Sequence, residues 1–258
     1  MMGDCDKVQT LKAELTPTLF HMIRVFWFRH INDAQVIVVP GREDAVKWFS
    51  RDESFDQSCR IQFGPVLSLI RSTDIDGAGL LDAATLDTPL DWMALIILLD
   101  QIPRNCYRGD EARVAYSLFD PLALYIALRA IETGIPTHSD VRYRHAYRFW
   151  FYMPLVHSEQ LDMQERLNQE YDRMFSDSRH LVHTVPSGSD DQVLYCRDVL
   201  TRRNSVYNEW EQILQSIAAD YARQIRRFSR YPRRNQALKR ESTEEERQYL
   251  ENPFSAWT

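Results

Sequence analysis

LIILLDQIPRNCYRGD, residues 95–110, is the stretch that decides the fold, because an unbroken apolar run passes directly into a strongly polar one. Leucine and isoleucine fill residues 95–99, and a helix that is apolar on every side is expected to lie inside the protein. Pro103 has no backbone N–H and disfavours a helical conformation in the residue before it. The stretch therefore predicts a buried helix that ends at Asp100 or within two residues of it.

The acid at the end of this predicted helix needs a partner. Asp100 would lie where the helix dipole is already negative, and a carboxylate there costs about 0.3–1 kcal/mol unless a cation offsets it. Arg104 and Arg108 follow closely in the sequence. Two structures satisfy this pattern: an exposed local ion pair between Asp100 and Arg104, or a buried cluster in which Asp100 holds several donors.

A second segment repeats the same order of features near the C-terminus. FSRYPRRN, residues 228–235, also ends a predicted long helix at a proline and continues with Arg234 and Asn235. Arginines fixed just after a proline can hold a carboxylate through paired hydrogen bonds. We therefore predict one shared cluster around Asp100, with Arg104, Arg108, Arg234 and Asn235 in contact with it and His157 and Glu159 close by.

A third polar segment, MPLVHSEQLDMQE, covers residues 153–165, and its residues His157, Ser158 and Glu159 are predicted to open a helix. Ser158 is a typical N-cap residue and Glu159 suits the positive first turn, so a structural role explains both. His157 with Glu159, or with Asp100 across the fold, could instead form a general acid–base pair.

The rest of the sequence predicts an all-α fold. Apolar residues recur at helical spacing along most of the chain, and neither strand–helix alternation nor a glycine-rich phosphate loop is present. We expect one compact domain over residues 1–258, built from stacked antiparallel helical hairpins. There is no clean 34-residue repeat, so any similarity to tetratricopeptide (TPR) repeats must be degenerate.

Several segments carry more specific expectations. QVIVVPG, residues 35–41, is the only extended-looking run and predicts a loop insertion or a short strand over Val36–Val39. Gly64–Pro65 predicts a break or kink in a helix, and residues 176–191 predict a flexible loop. A capping pattern at Ser189–Gln192 predicts one long helix to about Phe228. A stronger pattern at Ser242–Glu246 predicts a short terminal helix.

Composition disfavours several classes of function. The chain has 258 residues and a formal net charge of −6, so no global positive field attracts nucleic acid, although arginines crowd residues 223–240. The longest apolar run, Ala94–Leu99, is too short to span a bilayer. The N-terminal segment carries acids where a secretory signal needs a basic start. The scattered cysteines Cys5, Cys59, Cys106 and Cys196 favour reduced thiols in a cytoplasmic protein.

No metal or cofactor is expected from the sequence. His180 and His183 are three residues apart, but no third ligand lies nearby in the sequence. There is no G-x-S-x-G motif, and no cysteine has a recognisable catalytic context. The sequence carries no signal for an oligomeric state.

Taken together, the motifs resemble one family, the uncharacterised domain of unknown function 924 (DUF924), TPR-like all-helical proteins of bacteria and fungi. The matching residues are Phe26-Trp27-Phe28, Trp48-Phe49, Phe55-Asp56, Leu99–Asn105, Arg108-Gly109, Pro154-Leu155, His157-Ser158-Glu159, Gln164, Arg230-Tyr231-Pro232, Arg234-Asn235, Arg240, Ser242-Thr243 and Glu245. They occur in order over most of the chain. The resemblance implies the helical-repeat-like fold and brings no established activity.

Two residues depart from the family pattern. The family usually has a histidine one or two turns before the last proline motif, where this chain has Tyr221. It also tends to have a histidine directly after that proline, where this chain has Arg233. If those histidines perform chemistry in relatives, this chain is expected to have replaced that chemistry with a different ligand.

Two functions follow as hypotheses. The first, which the replaced histidines favour, is a groove that binds a small anionic molecule or a peptide carboxylate. Its predicted ligand-binding residues are Arg104, Asn105, Arg108, Gln164, Arg230, Arg234, Asn235, Trp48 and Asp56. The second is a hydrolase, dehydratase or isomerase without a redox cofactor, with His157, Glu159 and Asp100 as the acid–base groups.

Overall fold

The computed structural model describes residues 4–184, 188 and 190–251, and this part of the chain contains helices and no β-strand. The N-terminal helices are α1 (Asp4–Glu14), α2 (Pro17–Trp27), α3 (Ala34–Val38), α4 (Arg42–Phe49), α5 (Glu53–Thr73), α6 (Gly77–Ala83), α7 (Pro89–Asp100) and α8 (Ile102–Cys106). The later helices are α9 (Ala112–Val114), α10 (Asp120–Glu132), α11 (His145–Arg148), α12 (Met153–His157), α13 (Leu161–His183), α14 (Asp191–Arg202), α15 (Asn204–Phe228) and α16 (Glu244–Glu251).

Helix α7 is the centre of the packing, as the opening stretch predicts. All residues from Met93 to Asp100 are buried. A capping box fixes its start, since the Asp91 amide donates to the Thr88 hydroxyl while Thr88 donates its own amide to the Asp91 carboxylate. Helices α2 and α10 pack against α7. The helix ends at Asp100, so the predicted C-terminus is confirmed.

One contiguous core joins the helices into a single domain. Buried apolar side chains from Leu11 in α1 to Ala218 in α15 belong to the same cluster. A separate domain would bury its own separate cluster. The all-α, single-domain class predicted from the sequence is therefore confirmed.

Residues 35–38 belong to the short helix α3 rather than to a loop insertion or strand, and residues 39–41 lead from it to α4. Asp33 caps α3 by accepting a hydrogen bond from the Gln35 amide at 2.9 Å, and Val38 is buried. Helix α3 packs against α11 and α14. A good cap and tertiary contacts outweigh the strand propensity of the valines and isoleucine, so the prediction for this segment is wrong.

The predicted flexible loop over residues 176–191 is also wrong in its first half. Residues 176–183 are the last two turns of α13, where Ser178 and Leu181 are buried. The Ser178 hydroxyl contacts His145 Nε2 at 2.8 Å, which ties this end of the helix to α11. His180 and His183 are thus helical. Val185–Ser187 and Ser189 lie outside the described residues.

The predicted long helix after Ser189 is two helices. Asp190 caps α14 by accepting from the Val193 amide at 2.8 Å, and the helical backbone is interrupted at Arg203, with φ −100° and ψ 30°. Helix α14 packs against both α13 and α3, whereas α15 packs along α13. The interruption lets α14 reach α3 as well, which a sequence pattern of constant period cannot reveal.

Gly64 and Pro65 do not end α5, so of the two predicted outcomes, a break or a kink, the break is wrong. The helix continues from Glu53 to Thr73, and it buries residues on both sides of the proline, among them Phe63 and Val66. Packing of this continuous apolar stripe outweighs the one hydrogen bond that a proline removes.

A π-helical turn over Ala115–Phe119 precedes Asp120 and Pro121, inside a helical stretch that runs through Gly109–Glu132. Pro121 has no N–H to donate to the carbonyl one turn earlier, and the wider turn accommodates that loss. By length and hydropathy alone this stretch would also suit a membrane span, a property it shares with core helices. Its C-terminal part, α10, packs against α6, α7 and α12.

Candidate functional site

Asp100 is fully buried at the end of α7 and holds three neighbours. His157 Nδ1 lies 2.7 Å from Asp100 Oδ1, and Gln101 Nε2 donates to Asp100 Oδ2. Arg104 Nη2 lies 3.8 Å from Oδ1. The side-chain exposure of Asp100 is 0% and that of Arg104 is 17%, so the exposed local pair is excluded. Asp100 lies in a buried cluster, but Arg234, which was predicted to contact Asp100, binds Asp120 instead.

The two arginines that follow the two prolines meet through an acid that the sequence analysis missed. Arg104 Nη1 donates to Asp120 Oδ1 at 2.6 Å, and Arg234 Nη2 lies 3.2 Å from Asp120 Oδ2. Arg234 also donates to the backbone carbonyl of His157 at 2.8 Å. We call Asp100, Gln101, Arg104, Asp120, His157 and Arg234 the Asp100 network.

The charges of the Asp100 network balance when His157 is neutral. Its two carboxylates face two guanidinium groups, so a protonated imidazole would add an uncompensated buried charge. Burial and the charge of Arg104 lower the pKa of His157 and outweigh the opposing effect of Asp100. Burial would raise the pKa of Asp100, but its contacts with His157 and Arg104 hold that pKa below its ordinary value. At pH 7 the pair is therefore a carboxylate and a neutral imidazole.

Arg108 does not reach Asp100. It binds Asp56 instead, with its Nε 2.8 Å from Oδ2 and its Nη2 2.6 Å from Oδ1. Asp56 is fully buried on α5, and Arg108 also donates to Asn105 Oδ1 at 3.0 Å. The predicted contact between Arg108 and Asp100 is wrong because a second buried acid, on another helix, is its partner.

Asn235 and Arg230 belong to a third group, around Glu246 in α16. Arg230 binds both carboxylate oxygens of Glu246, at 2.6 and 2.8 Å, and Asn235 Nδ2 donates to Oε2 at 3.2 Å. The hydrogen bonds from Arg230 lower the pKa of Glu246 to about 2. The predicted contact of Asn235 with Asp100 is therefore wrong, since this amide fastens the C-terminal helix instead.

Glu159 is not a partner of His157. Its carboxylate accepts from Arg240 at 2.8 and 3.0 Å and from the Tyr231 amide at 2.9 Å. The prediction that residues 157–159 open a helix is also wrong, because α12 ends at His157 and α13 begins at Leu161.

The carbonyl groups near the end of α12 are bound by side chains from elsewhere, which explains why the chain turns there. Gln164, fully buried, donates to the carbonyls of Leu155 and Ser158. The Tyr231 hydroxyl donates to the Val156 carbonyl at 2.6 Å. Gln164 is therefore placed as a structural group that binds the backbone.

Trp48 lies in the aromatic part of the core. Its Nε1 donates to the Trp27 carbonyl at 3.1 Å, and its ring packs edge-on against Phe28 and Trp150. It is only 6% exposed. The structure therefore does not bring Trp48 to the polar clusters that it was grouped with.

A cavity of about 360 Å³ opens beside the Asp100 network. Its polar lining is Arg104, Tyr107, Arg108, Tyr116, Arg233 and Gln236, and glycine and alanine residues complete the wall. No carboxylate and no imidazole is among the described residues that line it. We call this cavity the arginine cleft.

Acids bind two of the cleft arginines. Arg104 donates a hydrogen bond to Asp120, and Arg108 donates one to Asp56. Arg104 Nη2 is buried and makes no hydrogen bond within the described part of the chain. The ring of Tyr116 lies 5.8 Å from the Arg104 guanidinium carbon and 4.6 Å from that of Arg234. The π-helical turn carries Tyr116 to this position.

Both positions that depart from the family pattern lie at this end of the molecule. Arg233 lines the cleft. Burial raises the pKa of Tyr221 against the charges of Arg233, Arg104 and Arg234, which places its phenol near these arginines. Sequence reasoning thus identified the correct region but missed Asp120 and Tyr116. The sequence feature that could have identified Asp120 is its position directly before Pro121, in an otherwise apolar helix.

The comparisons with known proteins give one similar structure and one family. A protein of unknown function from Agrobacterium tumefaciens, ATU0120, has a solved structure that is similar with a TM-score of 0.54 at 26% identity, covering 92% of this chain and 98% of that one. No curated protein is similar enough to count as a match. A family model described as "Bacterial protein of unknown function (DUF924)" matches residues 23–254, and the chain therefore belongs to the DUF924 family.

Proposed function

We propose that this protein binds a small anionic ligand in the arginine cleft. The observation that carries the proposal is that three arginines, and no acid among the described residues, line a cavity of about 360 Å³. Guanidinium groups form strong paired hydrogen bonds with carboxylates and phosphates. The volume falls within the usual range for small-molecule sites, roughly 300–1,000 Å³.

The proposed ligand contacts differ in part from those expected from the sequence. Arg104 and Arg108 line the cleft, and Arg233 joins them. Asn105 and Arg234 lie behind the lining, where they contact Arg108 and Tyr116. A ligand binds more tightly when the donors it meets are already fixed in place. Asp120 and Asp56 fix Arg104 and Arg108 in this way.

Isothermal titration calorimetry of the full chain with sulfate, citrate and inorganic phosphate, at constant ionic strength, tests the proposal. We expect at least one of these anions to bind, and Arg233→Gln to weaken it about tenfold or more. Arg202→Gln is the matched control, because Arg202 is an exposed arginine paired with Asp198 on α14. Equal affinities in both variants, or no binding by any anion, contradict the proposal.

The contact between His157 and Asp100 favours a second candidate, a non-redox hydrolase, dehydratase or isomerase. A buried carboxylate that binds one imidazole nitrogen orients a neutral base, with the Nδ1 proton assigned from the 2.7 Å contact. Product formation from anionic esters, hydroxy acids and sugar phosphates, followed by proton NMR, separates the two candidates. Turnover that disappears in His157→Gln supports an enzyme, whereas binding without any product supports the binding protein.

We also propose a cytoplasmic location without a nucleic-acid partner. The buried free thiols of Cys59, Cys106 and Cys196 support a reducing compartment. Acids pair with two of the cleft arginines, and the net charge of the chain is −6. Both features disfavour binding along a nucleic-acid phosphate backbone.

A further inference from the structure

Arg104 belongs to both the arginine cleft and the Asp100 network. It lines the cleft, and no other member of the network is among the described lining residues. Its Nη1 donates to Asp120 Oδ1 at 2.6 Å, and its Nη2 lies 3.8 Å from Asp100 Oδ1. His157 Nδ1 lies 2.7 Å from that same oxygen of Asp100. Arg104 and Asp100 therefore connect a charge placed in the cleft to His157.

Two of the cleft arginines already have counter-charges. Arg108 is paired with Asp56, and Arg104 is paired with Asp120. An anion bound against these two arginines therefore adds negative charge to side chains that are balanced without it. Charges interact strongly where the surroundings are partly buried. A positive charge gained nearby would stabilise the bound anion.

His157 can supply that charge by taking up a proton. Its Nδ1 proton is assigned to the contact with Asp100, so Nε2 is the basic nitrogen. The His157 side chain is 13% exposed, so solvent reaches the ring. Burial and the charge of Arg104 lower the pKa of His157, against the opposing effect of Asp100. An anion that offsets the charge of Arg104 raises this pKa again.

The charged groups that face His157 are Asp100 on α7, Arg104 on α8, Asp120 on α10 and Arg234, which follows α15 and binds the His157 carbonyl. From α13, the neutral amide of Gln164 binds carbonyls on either side of His157. Burial raises the pKa of Tyr152, before α12, and of Tyr221, on α15, so both phenols stay neutral. His157 is thus the imidazole in this group, the type of side chain that titrates near neutral pH.

We infer that an anion in the arginine cleft binds together with a proton, which is taken up from solvent at Nε2 of His157. The inference rests on the proposed function and adds its regulation, and it holds for any anion that the cleft accepts. Proton uptake and affinity are linked reciprocally. Because the bound state holds more protons than the free state, the affinity should rise as the pH falls through the range in which His157 titrates.

Isothermal titration calorimetry of the full chain with sulfate tests the inference. Sulfate is fully ionised between pH 5 and 7, so it brings no proton of its own. At each pH the titration is run in two buffers with different ionisation enthalpies, at constant ionic strength. We expect the apparent binding enthalpy to depend on the buffer, with the sign of proton uptake and at most one proton per sulfate. The affinity should be at least threefold higher at pH 5.5 than at pH 7.

Two histidine variants assign the proton. His157→Gln keeps an amide that can contact Asp100 but cannot take up the proton, so sulfate should still bind, without buffer dependence and with a flat pH profile. His138→Gln is the matched control, because His138 is exposed beside Asp140 in the turn after α10. This control should keep the proton uptake of the native chain. Proton uptake that persists in His157→Gln belongs to another group and overturns the inference.

The outcomes separate this inference from the proposed function. If sulfate binds with no proton uptake between pH 5 and 7, the inference is overturned and the anion site stands. If sulfate does not bind, the inference is overturned, and the proposed function then depends on citrate and phosphate. Ring-proton NMR of the native chain needs no variant. With sulfate, one of the seven histidines should titrate at higher pH than without it, and seven unchanged titrations overturn the inference.

Discussion

At the scale of single residues, the molecule stabilises its buried carboxylates by pairing them with guanidinium groups. Asp56, Asp100 and Glu246 are nearly fully buried, and each has an arginine within its reach. Burying such pairs adds little net stability, but removing one partner leaves a buried charge alone. These acids are therefore the positions where one substitution has the largest effect.

Asp100→Ala tests this at the centre of the Asp100 network. The change leaves Arg104 with one acid fewer and His157 without its oriented contact, so we expect a loss of about 3–5 kcal/mol in the free energy of unfolding. Urea denaturation followed by circular dichroism measures it. The control is Asp198→Ala, which breaks an exposed ion pair with Arg202 and should cost less than about 1 kcal/mol. Similar losses in the two variants would show that burial of Asp100 does not matter.

Glu246 gives the molecule a defined acid sensitivity. Its folded-state pKa is lowered from 4.5 to about 2, because Arg230 binds its carboxylate. The stabilisation is therefore fully present above pH 4.5 and is lost as the pH falls toward 2. The difference in unfolding free energy between the native chain and Glu246→Gln should shrink from pH 7 to pH 2.5. A difference that does not change over this range would mean that the carboxylate is not held by Arg230.

At the scale of elements, caps decide where several helices begin, and most caps can be found in the sequence. The sequence patterns predicted a cap at Ser189 for α14 and at Ser242 or Thr243 for α16, whereas in the structure Asp190 caps α14 and Thr243 caps α16. Helix α3 shows the limit of this reasoning. Its cap, Asp33, stands before residues that favour strands, and only its contacts with α11 and α14 decide the outcome.

Thr243 is predicted to be the cap that matters for α16. Its hydroxyl accepts from the Glu246 amide at 3.2 Å, while the Glu246 carboxylate accepts from the Thr243 amide at 2.8 Å. Thr243→Ala should cost about 1 kcal/mol and speed amide hydrogen exchange in α16. Ser242→Ala is the control, since the Ser242 hydroxyl contacts Asn235. Unchanged exchange in Thr243→Ala would refute the cap.

The fold class and the region of the site could be predicted from the sequence, whereas the pairing within the site could not. Helical periodicity and the apolar run of α7 are patterns among neighbouring residues, so both can be recognised in a single sequence. Arg108 binds Asp56, and Asn235 binds Glu246. These pairings depend on which helices pack together, which is a property of the whole fold. The cost of burying a charge predicts that Asp100 has a cationic partner. It does not predict that Asp120 lies between Arg104 and Arg234 and binds both.

At the scale of the whole molecule, the single core predicts cooperative unfolding. The buried cluster runs from Leu11 to Ala218, so no group of the described helices has a separate core that could persist alone. Tryptophan fluorescence and far-UV circular dichroism should therefore give coincident urea transitions. Transitions that separate by more than about 0.5 M urea, which corresponds to roughly 1 kcal/mol at typical slopes, would indicate two independent units.

Under the proposed function, the arginine cleft becomes able to bind its ligand only late in synthesis. One wall comes from residues 104–116, and the other comes from Arg233, Gln236 and Ala237, more than a hundred residues later. The ribosome adds Asp120 to the chain more than a hundred residues before Arg234, so their contact can form only late in synthesis. Ligand binding is therefore expected only after nearly the whole chain has been made, so a nascent or C-terminally truncated chain exposes half a site and retains no ligand.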